Sequence, residues 1–482
     1  MSIPMPPERL SALDASFLAV ESPSAHMHVG WAATFAPPKD APRPDFATLF
    51  AHIAGRLGRA PRYRQRIAPD ALGLNAPLWI DAEDFDPAEH IHESAAERLE
   101  DLADAVLSEP LRRDRPLWEF WIAPELPDGH IGLIGKAHHC MVDGLAAVEL
   151  GSLLLDTEPA PAADEDETEW LPAPTPNPLE LLARGAWDRT REQLGTLRHP
   201  LELARVPLAL PGFGVRAARA LAGALLPVAP RSALNEPSSP DRHLATVRRP
   251  LADLRAIREV HGVTVNDVVL AAVAGALRRH AERRDEPPRD LKAMVPVNVR
   301  AQDAGALGNR ITFMFVELPA SLADASDRLH RVGHATRSRK ESGVPEDADA
   351  ALKALAHAPR SLQKAAAHAL ASPRVYNLVV SNIPGPRAPM YLRGCRLRDA
   401  YPVVPLSDGH ALSVGMTTIG DHACFGLYAD PGTLPDADAL ARDLDAAIDE
   451  LRATMEPWPT PRRPTSGSGT RFRNSPSPTP TA

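Results

Sequence analysis

The feature that most constrains this chain is a break in its composition. Between Ala160 and Pro178 the sequence turns acidic and proline-rich, with Asp164, Glu165, Asp166, Glu167 and Glu169 in close succession. Such a stretch lacks the apolar surface needed to offset the ordering of its backbone, so it reads as an exposed linker. Strand-like and helical runs alternate on both sides of it. A chain of 482 residues also exceeds one ordinary core. The expected division is a first subdomain over 1–158, a linker and connector over 159–240, and a second subdomain over 241–457. Residues 458–482, rich in Pro, Ser, Thr, Gly and Arg, read as a disordered tail.

Composition removes several function classes. A hydrophobic share of 44% is that of a soluble globular protein with a sizeable core. The net charge of −9 argues against a nucleic-acid binder, which carries a basic stripe. Three widely spaced cysteines supply no disulfide framework and fit a reducing cytoplasm. Met1 to Leu10 holds three prolines and Glu8, unlike a signal peptide. The longest apolar candidate, Ala220 to Ala229, is short and broken by Gly223 and Pro227. The chain is therefore expected to be cytoplasmic, soluble or peripheral to a lipid surface. Leu179 to Leu197 and Val206 to Pro230, basic and apolar, fit either an interfacial element or a packed connector.

Local signals place the elements. Asp45 predicts a cap for a helix with Phe46, Leu49, Phe50, Ile53 and Leu57 on one face. Arg62, Arg64 and Arg66 follow, then a strand-like Leu78–Ile80. Leu99, Leu102 and Val106 mark a helix stopped at Pro110. Leu117 to Ile122 and His130 to His139 read as neighbouring strands, with Trp118 as a core anchor. In the second half, Leu244–Val247 reads as a strand and Leu251–His261 as a helix. Thr264 or Asn266 caps a long helix from Val268 to Arg279, with Asp267 in its first turn. Met294–Val299, Ile311–Leu318 and Val375–Val380 are strand-like, and 322–342 and 350–371 are helical, the latter broken at Pro359. A strand pair around Gly420-Asp421 and a helix over 434–455 complete the chain.

One short stretch carries chemistry. Lys136-Ala137-His138-His139-Cys140-Met141-Val142-Asp143-Gly144 follows an apolar run and precedes a helical one. Two histidines with an aspartate and a glycine behind them suggest a base and its support, since imidazole accepts protons near neutral pH. The bland readings are a zinc site or two histidines satisfied in a core. Nothing nearby completes a tetrahedral ligand set, so no metal is expected. If the segment is extended, His138 and His139 face opposite ways, and Cys140 shares the face of His138. Cys140 then reads as a small buried hydrophobe rather than a nucleophile.

His138-His139-Cys140-Met141-Val142-Asp143-Gly144 matches the HHxxxDG signature and resembles the CoA-dependent acyltransferase superfamily. The accompanying stretches resemble its wax ester synthase/diacylglycerol acyltransferase branch. They are Leu13-Asp14, Met27 to Gly30, Pro116-Leu117-Trp118, Asn266-Asp267, Pro296 to Arg300 and Ser381 to Pro386, spread over roughly residues 10 to 455. The resemblance implies an α/β (α+β) fold of two chloramphenicol-acetyltransferase-like subdomains around a central active-site tunnel. It implies transfer of a fatty acyl group from acyl-CoA to diacylglycerol or a long-chain alcohol. His139 would be the general base, and Asp143 would pair with Arg300. The oxyanion would be held by Asn266 or by a backbone amide near Gly144. No cofactor is implied, acyl-CoA being a substrate, and association with a membrane or lipid droplet would be peripheral.

Two other readings share parts of this pattern. One is a carrier-protein-dependent condensation or polyketide-associated acyltransferase, against which stand the absent carrier domain and the Ser381–Pro386 turn. The other is a non-catalytic lipid-droplet protein, disfavoured by the intact histidine motif.

Overall fold

The computed structural model describes residues 7–39, 41–68, 77–141, 154–160, 170–177, 180, 228–299, 310–341, 355 and 360–455. Short local signals start three of the helices. In the first half, β1 (Glu8–Arg9) leads to α1 (Ala12–Val20), capped by Ser11, whose Oγ accepts from the Asp14 amide at 3.1 Å. β2 (His28–Ala36) follows, then α2 (Phe46–Arg56), capped as expected by Asp45 on Thr48 N at 2.9 Å. β3 (Gln65–Ala68), β4 (Leu78–Asp81) and β5 (Ile91–Glu93) precede α3 (Leu99–Ser108), β6 (Trp118–Ala123) and β7 (Ile131–His138).

The second half opens with β8 (His243–Pro250), α4 (Leu251–His261) and α5 (Val265–Arg283). β9 (Leu291–Val299), β10 (Arg310–Leu318), α6 (Ala325–Glu341) and α7 (Arg360–Leu370) come next. β11 (Leu378–Ile383), β12 (Tyr391–Leu392), β13 (Cys395–Val403), β14 (Leu412–Ile419), β15 (His422–Ala429) and α8 (Ala437–Ala453) complete it. The strand expected from Val375 begins at Leu378 instead. Of the Val206–Pro230 stretch only 228–230 are described, and the tail from 458 lies outside the described residues.

Among the described residues two six-stranded sheets organise the molecule, with a small sheet β1-β4-β3 beside them. The first runs β12-β13-β2-β7-β6-β5 and the second β10-β9-β11-β14-β15-β8. The fold is thus mixed α/β, with two sheet-centred halves. β12 and β13, which fall within the 241–457 stretch, nevertheless pair into the first sheet, Val403 opposite Gly30 and Arg396 opposite Ala36. β13 also packs on β14 and β15, so this one strand joins the two halves.

A second seam lies at α3. Asp104 accepts from Leu244 N at 2.8 Å and lies 2.6 Å from His243 Nδ1, tying α3 to β8. β7 is buried at every position, as a central strand covered on both faces must be. Among the described residues no single helix is long and apolar enough to cross a membrane. α4 and α5 reach that length only as a pair bent by 102°, and α5 is largely core.

Candidate active site

The histidine motif sits at the end of β7, held from both sides. β2 pairs with β7 in antiparallel register, which sets His28 opposite His138 and Gly30 opposite Lys136. Gly30 is required there, because a Cβ would fall 1.9 Å from the Gly135 carbonyl oxygen. On the other side the Leu117 carbonyl accepts from His138 N at 2.9 Å. Pro116 accepts from Trp118 N at 3.0 Å, and Trp118, 1% exposed, donates its indole N–H to Tyr63 O at 2.7 Å. Pro116-Leu117-Trp118 is therefore the brace of the histidine strand, and Trp118 is the core anchor its sequence suggested.

β7 stops at His138, so the extended alternation expected through Cys140 does not hold: His139, Cys140 and Met141 form a turn. Met141 N donates to the His138 carbonyl at 2.9 Å, closing it. The two histidines differ sharply as a result. His138 is sealed, and its Nδ1 accepts from Cys140 N at 3.1 Å, which leaves the ring proton on Nε2. Nε2 faces Glu21 Oε1 at 3.8 Å, and Glu21 is also paired with Arg113. Burial, then Arg113 and His139, hold the His138 imidazole well below the usual histidine range, so it stays neutral.

His139 is half-buried. Its amide donates to the Met27 carbonyl at 2.9 Å, and its ring lies flat on Phe17, with centroids 3.7 Å apart and planes 10° apart. Phe17 and Glu21, from α1 and its end, were not singled out by sequence reasoning. The Ser11-x-x-Asp14 cap signature was the signal that would have located their helix. Cys140 is 2% exposed, and burial pushes its thiol strongly up, the opposite of a nucleophilic cysteine.

A polar cluster backs the strand pair. Lys136 Nζ donates to the carbonyls of Val106 at 2.8 Å and Glu109 at 3.0 Å and meets Glu119 at 3.1 Å. This buried ammonium pins α3 to β7. His28 is 2% exposed, and burial followed by Lys136 keeps it neutral.

Across the sheet lies an apolar cavity of about 390 Å³ between the two halves. Trp31, Phe35 and Ala400 from the first sheet line it, with Ile419 from the second and the Pro384–Pro386 turn closing it. Gly385 must lack a side chain, since a Cβ would come within 1.6 Å of the Thr418 carbonyl oxygen. Leu155, also in the wall, is fixed because Arg56 bonds the Leu154 carbonyl at 3.1 Å and Asp156 at 2.5 Å. Gly30 lines the cavity and lies two residues along β2 from His28, about 7 Å at strand rise. Trp31, Ala33 and Phe35 alternate with His28 across the sheet, so cavity and His28–His138 pair occupy opposite faces.

Asp267 has a different setting. With Thr264 it forms a capping box on α5, and Thr336 Oγ1 donates to its other oxygen at 2.6 Å. Asn266 beside it is half-buried. Arg62 meets Glu8 at 2.6 Å and stacks over Trp79, and Arg64 lies over Trp170. Asp143, Gly144 and Arg300, the expected support of the histidines, lie outside the described residues. Among the described residues no group of three or more His, Cys, Asp or Glu is placed to hold a metal ion.

Comparison with known proteins bears on this arrangement directly. Residues 10–269 match the wax ester synthase/diacylglycerol acyltransferase catalytic domain, and 307–452 the WS/DGAT C-terminal domain. A protein of Mycobacterium tuberculosis named "probable diacylglycerol O-acyltransferase tgs1" is 31% identical over 470 residues, covering 94% of this chain and 98% of its own. The wax ester synthase/diacylglycerol acyltransferase of Marinobacter aquaeolei superposes with a TM-score of 0.67 at 26% identity, over 93% of this chain and 99% of its own. The trichothecene 15-O-acetyltransferase of Fusarium sporotrichioides, 12% identical, shares the fold, with a TM-score of 0.57 over 93% of this chain and 95% of its own. The chain belongs to the wax ester synthase/diacylglycerol acyltransferase family.

Proposed function

We propose that this acyltransferase moves a fatty acyl group from acyl-CoA to the hydroxyl of diacylglycerol or a long-chain alcohol, with His139 as the general base. The observation that carries the assignment is the contrast between the two histidines. His138 is sealed and has its Nδ1 committed to Cys140 N, whereas His139 is half-open and oriented by Phe17. His139 takes the hydroxyl proton as the oxygen attacks the thioester carbon. The tetrahedral oxyanion is served by Asn266 or by a backbone amide near Gly144. Collapse expels the CoA thiolate, which recovers the proton from the imidazolium. Support of the histidine loop by an Asp143–Arg300 pair is the part of this reading that rests on the family resemblance alone.

The cavity behind Trp31 is the chamber for a fatty chain. Its volume lies within the roughly 300–1,000 Å³ of small-molecule sites, and its wall is almost wholly apolar. The acceptor is insoluble in water, so the reaction belongs at a cytoplasmic membrane or lipid-droplet surface, with the protein peripheral to it. The test offers labelled palmitoyl-CoA or palmitoyl-acyl-carrier protein with diacylglycerol and hexadecanol side by side. Labelled triacylglycerol or wax ester from the CoA donor supports the assignment; product from the carrier-protein donor alone contradicts it.

A further inference from the structure

We infer that Met27 is a positioning residue for His139 and acts through its main chain, not its thioether; the inference rests on the reading of His139 as the base. Three non-glycine residues among those described take a positive φ: Met27 at 52°, Asp285 at 56° and Arg393 at 48°. Asp285 and Arg393 lie in exposed turns, one after α5 and one between β12 and β13. Met27 differs, being 4% exposed. An L side chain disfavours the left-handed region, so a buried methionine stays there only where its surroundings impose it.

Both sides of Met27 are pinned. Upstream, Ser22 and Ala25 exchange main-chain hydrogen bonds at 3.0 and 3.1 Å and close a turn. The buried Arg242 guanidinium donates to the Ser24 carbonyl, and Ser24 Oγ donates to Asp408 at 3.2 Å, so the second half grips that turn. Downstream, His28 opens β2 directly opposite His138. His26 and Met27 alone join the fixed turn to the fixed strand. β7 ends at His138, but continuing its register sets Met27 opposite His139, whose amide donates to the Met27 carbonyl at 2.9 Å. That carbonyl holds the main chain of His139 while Phe17 holds its ring. With both fixed, the imidazole meets an incoming hydroxyl at one angle, which is what efficient proton removal requires. The direction of the carbonyl is set by the backbone angles at Met27, so the hold depends on the left-handed conformation and not on what the side chain fills.

The series Met27→Gly, Met27→Ala and Met27→Val separates the two roles, because backbone and packing rank it in opposite orders. Glycine takes a positive φ freely, alanine resists it, and β-branched valine resists it most. As filler for a buried site valine is best and glycine worst. Each variant is assayed with palmitoyl-CoA and diacylglycerol at a temperature where melts show it folded, and hydrogen exchange is read at the His139 amide. The expected kcat order is Met27→Gly above Met27→Ala above Met27→Val, with about tenfold to 10²-fold between the extremes. KM for palmitoyl-CoA should stay common to the series, and exchange at the His139 amide should be fastest in Met27→Val. Should Met27→Val fail to fold, Met27→Gly against Met27→Ala decides. A kcat in Met27→Ala equal to or above that of Met27→Gly would overturn the inference, since activity would then follow size. Equal His139 exchange across the series would overturn it as well. Near wild-type turnover by His139→Ala, run alongside, would count against the base instead, and exchange at the His139 amide still judges the hold by itself.

Discussion

His138 and His139 are adjacent in the chain and opposite in circumstance, because β7 ends between them. The sequence shows the pair but not the end of the strand, and the extended alternation read through Cys140 breaks off for that reason. The conclusion about the thiol survives on other grounds: burial pushes it up and leaves it inert. Cys140→Ala is expected to retain most of the acyl-transfer rate, and acyl-CoA alone to leave the protein unacylated by mass spectrometry. Stoichiometric acylation at Cys140, released by added alcohol, would contradict direct transfer. Ala400 offers a test of the chamber, since it is half-buried in the cavity wall on β13. Ala400→Phe should lower kcat/KM for palmitoyl-CoA by roughly tenfold relative to octanoyl-CoA, the scale of a few misfitted methylenes. Equal losses for both donors would place the chain elsewhere.

At the scale of elements, the join between halves rests on α3 against β8 and on β13 in the first sheet. His243 between Asp104 and Asp438 is the titrating part of that join. The hydrogen bond that its Nδ1–H donates to Asp104 is the main cause holding it up at about 9. A raised histidine stabilises fully below the unfolded value near 6.5, and the effect is lost as pH rises through about 9. Asp104→Asn should therefore lower the melting temperature most near pH 6, with the gap to wild type closing by pH 9.5. A constant gap would mean that His243 is not the group responsible.

His26, His28, His90, His138 and His410 work in the other direction. Burial, the largest cause for each, holds them low. The unfolded chain takes up protons that the fold refuses, so the melting temperature should fall as pH drops below about 6.5. Flat stability from pH 7 to pH 5 would contradict this. Elements with local signals were legible in the sequence: Asp45 caps as its spacing implied, and of the two caps offered for α5, Thr264 and Asn266, Thr264 takes the place. β13 was not, because its place beside β2 is set by partners over 350 residues away in the chain, and no local pattern encodes that pairing. α1 escaped periodicity since it is apolar nearly all round.

For the whole molecule, two halves meet at β13 and at the α3–β8 seam, with an apolar cavity between them and a histidine at a strand end. The ordered motifs expected this architecture because they fall at its joints. Pro116 to Trp118 brace β7, Gly30 permits β2 to lie against it, and Gly385 closes the cavity on β14. The claim that unites these parts is that His139, and not its neighbour, removes the acceptor proton. The most direct measurement is steady-state transfer of labelled palmitate from palmitoyl-CoA to diacylglycerol by His139→Ala, beside wild type, after melts and circular dichroism establish an intact fold. The predicted result is a fall in kcat of about 10² to 10⁴, as loss of a general base gives. Near wild-type turnover by folded His139→Ala would contradict the account.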